Sequence, residues 1–318
     1  MSLFNDLDDY KLHTEFCTNP NILLHRSYRA DRARGRQRIA IQEEWAPQKP
    51  PLGVGQFGVV RLEQRQKVYG DTSSEHQELA VKQLRKIDLD RMRVDFRKEL
   101  QALTKFSRLK FAQSQAFVKF FGWFEDDDHV YLAMEYFRNG TLDHFIAKGL
   151  LEQDAQIIGQ QLLEGLKIMH QEQFTHRDLK PQNIFVVQQS PYWWVKIGDL
   201  GISKRAAKDD TVLRTSTGTP LYLAPEVFHY LPFQDEETDT YTNAVDIWSF
   251  ACVLYEMLAL QVPFTDWPRD LVAFCHGAPF PDGPLMDRVS TIAIDFVKSV
   301  LVPTPEKRPT AQEAFGAE

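Results

Sequence analysis

Short apolar runs dominate residues 52–138 and predict a small lobe built of strands. The runs are rich in β-branched and aromatic residues and are bounded by turn residues, which is typical of strands. One stretch instead repeats apolar residues at helical spacing and predicts a helix over roughly 90–107. The predicted strands are 59–62, 79–82, 117–124 and 130–134, and the helical stripe is Phe96, Leu100, Leu103 and Phe106.

From residue 139 onwards the apolar spacing is mainly helical and predicts a larger lobe. Two short apolar runs around Ser190 and Pro191 predict a hairpin within it. The pattern therefore predicts an α+β fold with two lobes, and a cleft between lobes is a common place for a ligand. The predicted helices lie at about 157–169, 246–260 and 289–300, and the hairpin strands at 184–187 and 194–197.

Residues 1–45 show no clear period and are predicted to be an extension that precedes a small lobe at 46–138 and a large lobe at 139–318. The extension contains a basic run, which is interpreted as a solvated arm or helix face, with nuclear import, an acidic partner and membrane-surface contact as alternatives. Three prolines then predict a stiff connector. The basic run is Arg26, Arg29, Arg32, Arg34, Arg36 and Arg38, and the prolines are Pro47, Pro50 and Pro51.

Composition narrows the class of protein. The chain has 318 residues, of which 43% are hydrophobic and 25% charged, as in ordinary globular proteins. No apolar run reaches the roughly 18 residues of a membrane span, and the net charge of −7 argues against a dedicated DNA-binding protein. Cys17, Cys252 and Cys275 are far apart, which predicts a reducing compartment, cytoplasmic or nuclear.

The stretch from His176 to Asn183 carries the chemistry on which the rest depends. Asp178 can orient a hydroxyl and accept its proton, and Lys180 can neutralise a phosphate oxygen. Asn183 and Asp199 offer the hard oxygen ligands that a divalent metal prefers. Phosphoryl transfer needs these parts, because its transition state spreads negative charge that must be positioned and offset.

The glycine-rich stretch from Gly53 to Val60 can bring backbone close to phosphate. A structural hairpin without ligand is one interpretation, and a dinucleotide-binding turn is another. The dinucleotide turn requires a helix after the glycines, whereas a strand-like run follows here. A strand–turn–strand lid over a triphosphate therefore fits better.

Several other residues are expected to have a functional or structural role only if they pair with another group. Lys82 is either a solvated strand residue or a partner of Glu99 on the following helix. Asp199, with Leu200 and Gly201, forms either an ordinary turn or a metal-binding turn. Glu226, after Ala224 and Pro225, is predicted to pair with Arg308, and Asp246 with the backbone of His176 and Arg177, since a buried unpaired charge is costly.

Taken in order, these motifs resemble those of the eukaryotic protein kinases, and the resemblance covers about 50–315. Lys180, two residues after Asp178, resembles the serine/threonine subclass. The resemblance implies a bilobal kinase fold that uses ATP and Mg²⁺, with Mn²⁺ as an alternative metal. It also implies serine and threonine hydroxyls of proteins as acceptors and an upstream kinase as a partner.

The resemblance assigns roles to individual residues. The implied catalytic residues are Asp178, Lys180, Lys82, Glu99 and Thr219, and the metal ligands are Asn183 and Asp199. The implied ATP contacts are Gly53, Val54, Gly55, Gln56, Phe57, Gly58, Val60, Ala80, Lys82, Met134, Glu135, Phe137 and Phe185. Leu103, Phe120, His176 and Leu200 match a stacked apolar column, and Glu226, Asp246 and Arg308 have structural roles.

Regulation is implied by Arg177, which in this family often binds a phosphate on the activation segment. Thr215 occupies the matching position, and a phosphate there would add about −1.5 to −2 charges; the alternative is a polar loop that is never modified. The sequence departs from the family at Leu200, at Ala251, in an acidic insert at about 234–240 and in a short last helix after Arg308.

Two other functions compete with catalysis of protein phosphorylation. A pseudokinase scaffold would act by binding, although every residue needed for chemistry is present. A small-molecule kinase of similar fold is disfavoured by Thr219 and by the long activation segment.

Overall fold

The computed structural model describes residues 5–18, 21–31, 36–55, 58–69, 77–91, 96–108, 111, 113–199, 220–231 and 242–316. The described residues divide into two compact units. The first comprises residues within Met1–Gln113 and Val118–Tyr136, and the second those within Ser114–Phe117, Phe137–Lys204 and Gly218–Glu318. The first unit is an antiparallel sheet with helices and the second is mainly helical, which confirms the predicted α+β class.

The first unit is built on one sheet whose described strands run in the order β1-β2-β3-β5-β6-β8-β7, with β4 paired to β5. Three short helices accompany it. The strands are β1 (His13–Thr18), β2 (Asn21–Asp31), β3 (Arg36–Pro47), β4 (Gly53–Gly55), β5 (Gly58–Tyr69), β6 (Glu78–Arg85), β7 (Phe120–Glu125) and β8 (His129–Glu135). The helices are α1 (Asn5–Asp8), α2 (Lys86–Arg91) and α3 (Phe96–Ser107), and α3 lies within the helix predicted over 90–107.

The segment predicted to be an extension contributes β1, β2 and most of β3 to this sheet. Alternation along β2 explains why: Leu23 and His25 are buried, whereas Arg26 and Tyr28 are exposed. The arginines interrupt the apolar positions and hide this period-two pattern in the sequence. The helix face expected for the basic run is therefore wrong for Arg26 and Arg29, which lie on strand β2.

One face of the sheet carries a group of buried hydrophobic residues, which we call the interior cluster. The buried cluster on this face is Leu23, Trp45, Leu79, Val81, Phe124, Tyr131 and Ala133. The outer ends of the sheet also meet, because the Leu12 amide donates to the Trp123 carbonyl at 2.8 Å and the Trp123 amide donates to the Tyr10 carbonyl at 2.9 Å. The sheet therefore closes on itself through residues that precede β1.

The second unit consists of helices around one short hairpin. The helix from Ala244 to Ala259 is buried along nearly its whole length, as its apolar composition predicted. The helices are α4 (Asp143–Ile146), α5 (Glu152–Gln171), α6 (Ala244–Ala259), α7 (Arg269–Cys275), α8 (Gly283–Met286), α9 (Thr291–Val300) and α10 (Ala311–Phe315). The hairpin is β9 (Ile184–Gln188) and β10 (Trp194–Ile197), with 3-10 turns at Pro181–Asn183, Pro225–Phe228 and Pro305–Lys307.

Two compositional expectations can be compared with the structure. Cys17, Cys252 and Cys275 form no disulfide. Across the described ranges, no helix combines the length and apolar content that crossing a bilayer requires.

Candidate active site

Asp178 lies at the centre of a small hydrogen-bonded group in the second unit. The Lys180 ammonium donates to carboxylate oxygen Oδ2 of Asp178 at 3.0 Å, and the Asn183 amide nitrogen donates to the same oxygen at 3.2 Å. Asn183 also donates to the Asp178 carbonyl at 2.7 Å. The predicted acid, cation and amide are therefore brought together, and the acid is held in one orientation by two donors.

His176 connects this group to the segment that carries Asp199. Its ring nitrogen Nδ1 accepts the Asp178 amide at 3.2 Å, and its Nε2 lies 3.0 Å from the Gly198 carbonyl. A carbonyl only accepts, so Nε2 carries the proton and the buried ring is the neutral Nε2–H tautomer. The ring therefore fixes the backbone of both acidic residues at once.

Asp246 anchors the start of the catalytic loop. Its side chain is fully buried at the first turn of α6 and accepts the backbone amides of His176 and Arg177, both at 2.7 Å. This confirms the predicted pairing. His170 Nε2 lies 2.9 Å from the same carboxylate, a partner that the sequence did not indicate.

The β9–β10 hairpin brings the two predicted metal ligands to one end. Asn183 immediately precedes β9, its carbonyl accepts the Gly198 amide at 2.9 Å, and Asp199 follows Gly198. Asp199 has a φ of 51° and Arg177 a φ of 66°, which non-glycine residues rarely adopt. Such backbone strain is concentrated at functional sites.

The donor set fits a magnesium ion. Because the Asn183 amide nitrogen donates to Asp178, its oxygen Oδ1 is the atom that can face a cation. Within the part of the chain that the structure describes, no group of three or more His, Cys, Asp or Glu side chains could hold a metal alone. Magnesium matches this arrangement, since it takes one or two protein oxygens together with phosphate oxygens and water.

In the first unit, one face of the sheet carries four of the predicted ATP contacts. Val60 lies opposite Lys82 in the β5–β6 register, and Ala80 lies opposite Met134 in the β6–β8 register. Opposed residues, and residues two apart on a strand, point to the same face. Val60, Lys82, Ala80 and Met134 therefore share one face, while the interior cluster occupies the other.

The glycine-rich stretch forms two paired strands, β4 and β5, on either side of Gln56 and Phe57. β4 pairs with β5 so that Gly53 faces Val60 and Gly55 faces Gly58. Gly58 has a φ of 156°, and a Cβ atom there would overlap the Gln83 backbone carbonyl. The dinucleotide alternative is excluded, because a strand and not a helix follows the glycines.

Two residues predicted to contact adenine, Glu135 and Phe137, occupy the end of β8 and the segment after it, and a third, Phe185, lies on β9. Glu135 ends β8, and its amide donates to the Lys119 carbonyl at 2.9 Å. In the second unit, the Phe137 carbonyl accepts the Gly140 amide at 3.1 Å, and the Phe137 and Phe185 rings lie 5.1 Å apart. The Phe137 and Phe185 rings thus pack against each other in that unit.

Arg308 makes the predicted pair with Glu226 and uses all of its donors. Its two terminal nitrogens donate to the two Glu226 carboxylate oxygens at 2.7 and 2.8 Å. The remaining three N–H groups donate to the carbonyls of Val302, Ala244 and Pro303. This fully satisfied, buried pair ties the segment after Pro225 to the end of the chain.

Sequence reasoning missed a polar group near this segment. The Tyr222 hydroxyl donates to Glu256 at 2.6 Å, and the Ser249 hydroxyl donates to the Tyr222 carbonyl at 2.8 Å. Burial raises the pKa of Glu256, and burial followed by the bond to Glu256 raises the pKa of Tyr222. No spacing signal links residues 34 positions apart, so only folding reveals the pair.

Several predicted residues lie outside what the structure describes. Gln56, Phe57, Leu200, Thr215, Thr219 and the insert at 234–240 fall outside the described residues, as does the side chain of Glu99. Leu103 and Phe120 of the apolar column are buried in the first unit, and His176 in the second.

Known proteins similar to this chain identify its family. The protein kinase domain family matches residues 47–318. Serine/threonine-protein kinase cds1 of Schizosaccharomyces pombe is 38% identical over 197 residues, which are 60% of this chain and 42% of that protein. Calcium/calmodulin-dependent protein kinase type 1 of Caenorhabditis elegans is 34% identical over 269 residues, which are 83% and 71% of the two chains.

A solved structure is also similar to this chain. The crystal structure of Rad53 1-466 in complex with AMP-PNP, whose protein is from Saccharomyces cerevisiae, matches with a TM-score of 0.66 and 29% identity. The match covers 86% of this chain and 64% of that one. The chain spans less than half the length of the first two curated relatives, 42% and 27%. With the family match covering most of its length, the chain belongs to the eukaryotic protein kinases, in their serine/threonine branch.

Proposed function

We propose that this protein is an ATP-dependent protein serine/threonine kinase, which transfers the γ-phosphoryl group of ATP to serine or threonine hydroxyls of protein substrates. The observation that carries the proposal is the Asp178 carboxylate, oriented by both Lys180 and Asn183. Asn183 and Asp199 lie at the same end of one hairpin beside it. These are the parts that in-line phosphoryl transfer requires.

Asp178 orients the acceptor hydroxyl and takes its proton as the new P–O bond forms. Its carboxylate is 16% exposed, so it is accessible from solvent yet held by its two donors. Lys180, at 34% exposure, offsets charge on the transferred group. His176 does not touch the reacting atoms; it positions the backbone on both sides of them.

Asn183 Oδ1 and the Asp199 carboxylate would hold Mg²⁺, which when bound neutralises charge on the ATP phosphates. Lys82 binds phosphate oxygens, positioned by Glu99, and the backbone of β4 and β5 covers the phosphates together with Gln56 and Phe57. By the resemblance to the family, Val60, Ala80 and Phe185 would sandwich the adenine ring, with Met134 at the gatekeeper position. Backbone groups of Glu135 and Phe137 would hold its edge. Thr219 would contact Asp178 and Lys180.

The test is transfer of labelled phosphate from ATP, with magnesium, to a generic basic protein. Asp178→Asn should lower kcat by about 10³-fold or more while ATP affinity changes little, because a single charge stabiliser contributes a few kcal/mol to the transition state alone. Asp295→Asn, an exposed aspartate on α9, is the matched control. Nucleotide binding without transfer by the wild-type protein would instead indicate a pseudokinase.

We also propose that a phosphate on Thr215 pairs with Arg177 and orders the activation segment. In support, the Nε atom of Arg177 is buried and makes no hydrogen bond to any residue that the structure describes. An upstream kinase, or a second copy of this one, would supply the phosphate. Thr215→Ala should lower activity; unchanged activity and unchanged phosphopeptide maps would contradict the proposal.

A further inference from the structure

Residues 5–12 lie against helix α3 and strand β7. Helix α1 packs against α3, and Leu7 is buried, with 6% of its surface exposed. The indole nitrogen of Trp123 donates to the Leu7 carbonyl at 3.0 Å. The Tyr10 ring stacks on Phe120 with 5.8 Å between the ring centres. We call residues 5–12 the N-terminal clamp.

The clamp is also joined to β7 by backbone and charge. The two hydrogen bonds that Trp123 makes with Tyr10 and Leu12 close the sheet at this point. The Lys11 ammonium lies 2.8 Å from Glu125 and 4.7 Å from the centre of the Trp123 ring. Both side-chain and main-chain contacts thus hold the clamp against β7.

Strand β7 is shaped to receive the clamp. Gly122 has a φ of 150°, and a Cβ atom there would lie 2.6 Å from the Tyr10 carbonyl oxygen and 2.8 Å from the Leu12 side chain. The register of β7 against β8 shifts at the same place. Any side chain at position 122 would displace the clamp, so the glycine serves this contact.

The same strand holds helix α3. The buried residues Leu100, Leu103 and Phe106 lie along α3, and α3 packs on β7. The Phe120 amide donates to the Ser107 hydroxyl at the end of α3, at 3.0 Å. The clamp therefore contacts both α3 and the strand to which α3 is attached. It lies before residue 47, where the match to the kinase family begins.

We propose that the N-terminal clamp is a positioning element for phosphoryl transfer, which fixes α3 so that Glu99 can meet Lys82. The inference rests on the proposed kinase function. A short helix held by one apolar stripe can shift on its support, and small displacements of a positioning group reduce catalysis strongly. If only part of the population has α3 in place, the apparent affinity for ATP falls by that fraction.

The experiment compares two leucines of matched burial in the full-length protein. Leu7→Ala removes the buried leucine of the clamp, whereas Leu23→Ala, at 8% exposure, removes a leucine from the interior cluster of the same sheet, against which the clamp packs through Leu12. Leu7→Ala should raise the Kd and KM for ATP about tenfold, equivalent to about 1.4 kcal/mol. It should also speed deuterium exchange in the peptide covering α3. Leu23→Ala should lower the unfolding temperature but change neither ATP affinity nor exchange in α3. Leu7→Met, which keeps an apolar side chain of similar size, should behave like the wild-type protein.

Equal changes in ATP affinity and α3 exchange for Leu7→Ala and Leu23→Ala would overturn the inference, as would no change for Leu7→Ala. If Leu7→Ala does not fold, Tyr10→Ala gives the same comparison through the Phe120 contact. ATP affinity and deuterium exchange can both be measured without phosphoryl transfer. Absence of phosphoryl transfer by the wild-type protein would therefore contradict the proposed function and leave the clamp to be decided by these two measurements.

Discussion

Two buried charged side chains, Asp246 and Arg308, bond to specific groups of distant segments. Asp246 accepts two amides of the catalytic loop, and Arg308 distributes its five N–H groups over Glu226 and three carbonyls. The atoms that bond to these two side chains are therefore held in fixed positions. A buried charge that makes all of its bonds fixes the segments that it joins, whereas one that loses a partner destabilises them.

Arg308→Lys should destabilise the protein by about 3 kcal/mol, because lysine has three donors on one atom and cannot replace a bidentate guanidinium. At least two of the five buried acceptors would lose their bonds. Urea unfolding measures the change. Arg269→Lys, whose side chain is 85% exposed, is the matched control, and equal stability of the two variants would contradict the prediction.

At the scale of elements, one hairpin in each unit carries residues that the sequence predicted to be functional. β9 and β10 place Asn183 and Asp199 at one end, and β4 and β5 place the glycine-rich turn. The sequence predicted both hairpins from short apolar runs and glycines. It could not predict the close approach of β6 to Gly58, because that contact depends on the register between strands far apart in sequence.

Gly58→Ala should weaken ATP binding, by about tenfold or more if the strand moves, since even slight misplacement of a binding element is costly. The added Cβ atom would overlap the Gln83 carbonyl and push β5 away from β6. Titration with ATP measures the effect. Gly283→Ala, where a Cβ atom would meet open space, should bind ATP like the wild-type protein; similar losses in both variants would show that the strand contact is irrelevant.

At the scale of the whole molecule, the closed sheet buries two titratable groups, Glu63 and His25, whose pKa shifts change the pH dependence of stability in opposite directions. Burial raises the pKa of Glu63 from 4.5 to about 7, although Arg61 opposes the rise. Burial lowers the pKa of His25 from 6.5 to about 4. Between pH 4.5 and 7 the folded state keeps a proton on Glu63 that the unfolded chain loses, so rising pH lowers the free energy of unfolding.

For His25 the sign is reversed. Between pH 4 and 6.5 the unfolded chain binds a proton that the folded state refuses, so falling pH lowers the free energy of unfolding. The two dependences oppose each other where their windows overlap. Each integrates to about 3 kcal/mol, because one pKa unit corresponds to about 1.4 kcal/mol.

Glu63→Gln should remove the opposing effect of Glu63 and leave only the pH dependence due to His25. The free energy of unfolding should then rise from pH 4 to 6.5 more steeply than in the wild-type protein. His25→Gln should show the reverse, a steeper fall from pH 4.5 to 7. Denaturant titrations across this range measure both. Parallel pH profiles for the two variants would refute the assignment.

The sequence by itself determined the family and the order of the chemical groups, because Asp178, Lys180 and Asn183 lie within one short loop and need only local geometry to meet. It also predicted the pairing of Glu226 with Arg308, since a buried charge requires a partner. The tertiary structure alone decided the hydrogen-bond partners of His176 and the entry of strands β1, β2 and β3 into the sheet. These features depend on strand register and on contacts between residues distant in sequence, which local hydrophobic pattern does not specify.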